Sequence, residues 1–117
     1  MPRSTAAYLA DVVDACDAVA DVLTGVDLET YAARRSIRSS VEREFTILGE
    51  AIGVLARRDP ALAARISHAR LIVGFRNRLV HEYAQIDDEA VFAIAQHDAP
   101  VLWAECAALV EQVGDAD

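Results

Sequence analysis

Apolar residues recur along this chain at helical spacing, not at the alternation of strands. In the first part Leu9, Val12, Val13, Cys16, Val19, Ala20 and Leu23 form one stripe, with Asp11, Asp14, Asp17 and Asp21 opposite. The pattern predicts a helix from about Thr5 to Leu23, with Ser4 as its N-cap. The aspartates read as a solvated acidic face and not as a metal site, because a hard cation needs carboxylates that converge on one point. Thr24-Gly25-Val26-Asp27 ends this helix and caps a short one, about Leu28 to Ala33.

Ser36 is expected to open a long helix, about Ile37 to Arg57. Its seam of Ile37, Val41, Phe45, Leu48, Ile52 and Leu55 has the period of bundle helices. Ile47, Ala51 and Val54 add a second apolar stripe, and Ser39, Arg43, Thr46, Glu50 and Arg57 share a polar one. Two readings of Glu50 stand side by side: an ion pair with Arg43 or another structural arginine, or a carboxylate that orients an arginine further along the chain. Asp59-Pro60 breaks the chain, Ala61 to Ile66 predicts a short helical turn, and Ala69 to about His81 predicts the next main helix. Gln85 to Glu89 supplies a cap with acidic first-turn residues, which suits the positive N-terminus of a helix. The last helix, about Glu89 to Val113, contains Pro100, so a kink or short break is expected near Asp98. Trp103 is expected to be a core or interface anchor, His68 and His97 to be structural, and the tail from Gly114 to Asp117 to fray. The sum is all-α: an antiparallel helical bundle of three to four long helices plus short linking helices, with a kinked last helix.

Composition narrows this picture. The 117 residues predict one domain, residues 1–117, and 54% hydrophobic residues with abundant alanine favour helices over disorder or sheet. Cys16 and Cys106 lie far apart in apolar patterns, as buried thiols in a reducing cytosol would. There is no signal-peptide pattern, and no apolar run approaches a membrane span. A net charge of −8 argues against a broad nonspecific nucleic-acid surface while leaving room for a local basic cleft. All eleven cationic residues are arginine, which either a GC-rich genome or phosphate recognition would produce. No internal repeat, Gly-rich phosphate loop, GxSxG turn or zinc spacing is present.

The densest chemistry lies in Phe75-Arg76-Asn77-Arg78-Leu79-Val80-His81-Glu82-Tyr83, which follows the apolar run Leu71 to Phe75. Arginine supplies a permanent fork of donors for phosphate, and histidine carries a proton that is mobile near neutral pH. The stretch is therefore suited to a phosphodiester. If the phosphodiester is one of RNA, the adjacent 2′-OH is the nucleophile, and cleavage then needs a proton acceptor, a proton donor and charge stabilisation at phosphorus, with no metal strictly required. His81 fits the acid–base role and Arg76 the charge. Asn77 and His81 are four apart and share a face, so Asn77 is placed to set the imidazole tautomer or to hold a ribose. Arg76 and His81 are five apart, about 140° around a continuous helix. Either the helix ends near His81, or Arg76 bends round, or the site is completed across a dimer. Arg78, three residues from His81, is the second-choice phosphate ligand. Tyr83 is placed to stack on a base, to bond a phosphate or to close the helix end against the core, and Glu82 is expected to face solvent.

Gly74 to Tyr83 resembles the HEPN superfamily, and more closely the HepT-like toxins, whose R-x-x-x-x-H-x-Y signature is filled here by Arg76, Asn77, His81 and Tyr83. Ala7-Tyr8-Leu9-Ala10-Asp11 is similar to that family's first helix, and Val41 to Ala51, with its Leu48-Gly49-Glu50-Ala51, to its second. The resemblance covers nearly the whole chain. It implies a HEPN-like bundle that dimerises, with the motifs of two protomers facing one cleft. The implied activity is metal-independent endoribonuclease action without a cofactor, toxic unless restrained. The implied restraint is a nucleotidyltransferase-like antitoxin, which in some pairs transfers AMP from ATP onto the motif tyrosine, here Tyr83. One departure is that family members often carry an acid between the first two long helices, where this chain reads Tyr31-Ala32-Ala33-Arg34-Arg35-Ser36. Two other classes stay open on the residues alone: a non-catalytic helical interaction module partnering a nucleotidyltransferase, and a nucleotide-binding bundle in which Arg76 and Arg78 hold phosphate without chemistry.

Overall fold

Ser4 starts the first helix as its spacing predicts: its hydroxyl accepts the Ala7 amide at 3.1 Å and opens α1, Thr5–Val22. The computed structural model describes residues 3–81 and 86–114; Glu82, Tyr83, Gln85 and tail residues 115–117 lie outside it. Along α1, Leu9, Val12, Cys16 and Val19 are buried as the stripe requires, whereas Ala20 is exposed.

The Asp27 carboxylate accepts the Thr30 amide at 2.8 Å and caps α2, Leu28–Ala33. The long helix α3 spans Arg35–Arg58. It begins before the expected Ile37, so Ser36 sits inside its first turn and does not cap it; Arg34 occupies the cap position without a side-chain bond. The end is exposed, and water can satisfy its free amides, so no side-chain cap is needed. Asp59 accepts the Leu62 amide at 3.1 Å and Pro60 opens α4, Pro60–Ala63, a helix shorter than the spacing suggested. Residues 64–68 turn back, with His68 at a positive φ of 64°. Next come α5, Ala69–His81; α6, Asp88–His97, capped by the Asp87 carboxylate; and α7, Ala99–Val113. The expected kink is a break at Asp98, and Pro100 falls in the first turn of α7, where its missing N–H is not needed.

The result is a helical bundle of seven helices, without strands among the described residues. α1 packs against α3 and α7, and α5 lies on the outer side of α3. Phe45, Leu48, Ile52 and Leu55 of α3 are fully buried between these layers. Phe45 meets Phe75 edge-to-face, with centroids 5.4 Å apart, and this pair ties α5 to the core. Tyr31 packs on Phe92 at 5.5 Å and links α2 to α6. Cys16 and Cys106 are free and buried, and desolvation pushes both thiols up to about 12, so they act as apolar filler. Trp103 is not a core anchor: Leu102, Cys106 and Leu109 point inward on α7, and this register leaves Trp103 42% exposed. His97 is exposed, and His68 lies 3.8 Å from Asp98. No helix among the described residues is long and apolar enough to cross a membrane.

Candidate active site

The site is built on α5. Ile72, Phe75 and Leu79 are its buried residues, and they seat the helix on α3. This register decides where the polar residues go. Arg76, next to Phe75, is half-buried at the contact with α3, while Asn77, Arg78 and His81 are exposed on the outer faces. α5 remains helical through His81. Arg76 and His81 of one chain therefore stay about 140° apart on this helix.

Arg76 is the most constrained of these groups. Its Nη1 donates to Asn77 Oδ1 at 3.1 Å, and its Nε is buried without an acceptor. The amide of Asn77 thus serves its neighbour's guanidinium, a pairing that the four-residue spacing to His81 did not suggest. Adjacent residues on a helix diverge by about 100°. The contact forms with the root of the Arg76 side chain set against α3. A buried donor without a partner is costly, so the position of Nε is held by the packing around it and not by a bond of its own.

Two grooves flank α5. One, about 380 Å³, runs toward α6 and is lined by Arg70, Leu71, Arg78 and Asp87. The other, about 600 Å³, runs toward α3 and α4 and has Arg57, Arg70, Val73 and Asn77 on its walls. Arg70 stands between them. Arg78, the second-choice phosphate ligand, therefore opens onto a different groove from Asn77. Residues 60–81 hold Arg65, Arg70, Arg76 and Arg78 and no Asp or Glu, in a chain whose net charge is −8. That acid-free run is a signal the sequence already carries: the local basic surface coincides with the elements that bear the motif.

Glu50 is exposed on α3 and makes no hydrogen bond or ion pair among the described residues, neither to Arg43 nor to Arg76. Tyr83 and Glu82 lie outside the described residues. Among the described residues, no three His, Cys, Asp or Glu side chains gather closely enough to hold a metal ion.

Gly74 is exposed on α5, and a Cβ built there meets nothing within 4 Å. Gly74→Ala is expected to raise stability by about 0.5–1 kcal/mol, through helix propensity and a less flexible unfolded chain. A thermal melt reads this as a rise of a few degrees; a fall would place another chain's backbone against α5 at that point.

The family described as "Ribonuclease HepT-like" matches residues 12–109, so the chain belongs to the HepT-like ribonuclease family and is by class an endoribonuclease. Relatives include two proteins of Methanocaldococcus jannaschii. "Putative RNase MJ1216" is 22% identical over 115 residues, 98% of this chain and 94% of the relative. "Putative RNase MJ1380" is 26% identical over 98 residues, 84% of this chain and 89% of the relative. No solved structure matches the chain.

Proposed function

We propose that this protein is the toxin of a toxin–antitoxin pair, a metal-independent endoribonuclease acting in the cytoplasm in a cleft formed by two protomers. The observation that carries the reading is Arg76: a guanidinium tethered to Asn77, with a buried Nε that lacks an acceptor, on the same helix as His81. The outer nitrogens of the guanidinium, not the buried Nε, are the donors that a phosphate oxygen would meet.

In this mechanism a neutral His81 takes the proton of the RNA 2′-OH as its oxygen attacks the adjacent phosphorus. The bond to the 5′-oxygen breaks, and a protonated imidazole gives that oxygen its proton. The products are a 2′,3′-cyclic phosphate and a 5′-hydroxyl. Arg76 holds the phosphate and the charge that builds on it, with Arg78 as a further cation on the outer face. One chain offers a single imidazole in the motif, so the second proton transfer falls to the partner subunit's His81. The surface of α5 supports such pairing: Leu71 and Val80 are 48% and 42% exposed, and α5 packs mainly on α3.

Restraint falls to a nucleotidyltransferase-family antitoxin. AMP transferred onto Tyr83, two residues beyond His81 in sequence, would bring a bulky anion to the motif and repel the RNA backbone by like charge. Glu50, exposed on α3, is assigned a supporting role.

The test is cleavage of RNA by the purified protein in excess EDTA, with the ends of the products analysed. Cleavage leaving 2′,3′-cyclic phosphate ends is expected. Cleavage restored only by added divalent metal contradicts the mechanism. No cleavage under any condition leaves the chain as a helical interaction module for its nucleotidyltransferase.

A further inference from the structure

Gly49 lies in the interior of α3, buried, where a helix gains nothing from glycine. Its surroundings supply the reason. A Cβ built on Gly49 would stand 2.4 Å from the Cβ of Arg76, 2.9 Å from its Cγ and 3.3 Å from the carbonyl oxygen of Ile72. The first two distances are far inside van der Waals contact, and both atoms belong to the root of the arginine stem, which has no freedom to swing aside. The third neighbour is backbone. The missing side chain is therefore a notch in α3 into which the Arg76 stem is set. Depth in this notch is what buries Nε, and it holds the guanidinium at a height where Nη1 meets Asn77.

We infer that Gly49 is a positioning residue for RNA cleavage: its lack of a Cβ sets the depth of Arg76, and with it the place of the guanidinium that holds the scissile phosphate. The inference rests on the reading of Arg76 as the phosphate ligand. A methyl at Gly49 forces α5 outward at Arg76 by an amount of the order of 1 Å, and displacement on that scale costs about 10²-fold in a preorganised site.

The same helix contains its own control. Gly53, one turn further on, is also buried, yet a Cβ there meets only the end of the Arg57 side chain, at 3.7 Å, an ordinary contact. The two glycines share helix and burial and differ in what stands opposite them.

The experiment compares Gly49→Ala with Gly53→Ala in single-turnover RNA cleavage, at a temperature where circular dichroism shows each variant folded. Each is also combined with Arg76→Ala. The expected result is a loss of about 10²-fold for Gly49→Ala and little change for Gly53→Ala. In the Arg76→Ala background the Cβ at position 76 still meets the new methyl, but the guanidinium that the shift misplaces is gone, so Gly49→Ala is expected to cause almost no further loss. A loss that persists in that background runs through the fold or through His81, and it overturns the inference. Full activity of Gly49→Ala overturns it as well. If Gly49→Ala does not fold alone, the comparison is repeated in the Gly53→Ala background, where helix propensity adds stability. Failure to fold there too assigns Gly49 to packing alone and overturns the proposal. Full activity of Arg76→Ala by itself refutes the underlying reading of Arg76, an outcome distinct from all of these.

Discussion

His81→Ala is expected to lower single-turnover RNA cleavage by about 10²–10⁴-fold, the usual range for a lost general acid–base group. Arg76→Ala is expected to lower it by about 10²–10³-fold, as when one charge-stabilising donor is removed from a site that excludes water. Neither change should unfold the protein, because His81 is exposed and Arg76 is only half-buried. The two variants should also fail differently. Loss of His81 removes the group whose proton moves, so the pH dependence of the residual activity should flatten. Loss of Arg76 leaves that dependence in place and weakens charge stabilisation at every pH. Arg76→Lys should rescue little, since an ammonium lacks the fork that reaches Asn77 Oδ1. The measurement is the rate of cleavage of a labelled RNA against pH for the wild type and all three variants. Unchanged rates in His81→Ala would remove the imidazole from the mechanism and favour the non-catalytic reading of the bundle.

Phe45→Ala is expected to cost about 3–5 kcal/mol of folding stability. Phe45 is fully buried in α3 and holds Phe75 edge-to-face at 5.4 Å and 79°. The substitution loses the transfer of a large ring, leaves a cavity, and removes an aromatic pair worth about 0.5–1.5 kcal/mol beyond burial. Against a total of about 5–15 kcal/mol for a domain, this is a large fraction. Urea titration followed by circular dichroism reads the change. The effect should reach the site as well, because Phe75 precedes Arg76 and Phe45 stands one helical turn before Gly49. Cleavage should therefore fall at urea concentrations that leave the wild type active. A cost below about 1 kcal/mol would mean that α5 docks without this contact.

Much of the architecture was readable in local patterns. The stripe of α1, the Asp27 cap and the break at Asp59-Pro60 all depend on residues a few positions apart, and Pro100 marked the division of the last helix near Asp98. Local signals were weaker where tertiary packing or water decides. Ser36 looked like a cap, yet α3 begins at Arg35, because solvent can satisfy the amides of an exposed helix end without a side-chain cap. Trp103 looked like a core or interface anchor by residue type, and the register that buries Leu102 and Cys106 turns it outward, which removes the core reading alone.

By itself the sequence determined the helical class, the order of the helices and the crowding of Arg76, Asn77, Arg78 and His81 onto one element, because helical period, caps and proline act over one or two turns. The HepT-like resemblance was likewise legible in short motifs, and the match over residues 12–109 agrees with it. Only the tertiary structure decided how those groups are presented. It paired Asn77 with Arg76, left Glu50 exposed, and placed Arg78 and Asn77 on different grooves. It also gave Gly49 its meaning as the notch for the Arg76 stem, since residues 27 positions apart meet only where α5 crosses α3. The physical reason is one of range: backbone hydrogen bonding reads its neighbours, whereas the depth and direction of a side chain are set by whatever surface the fold brings against it.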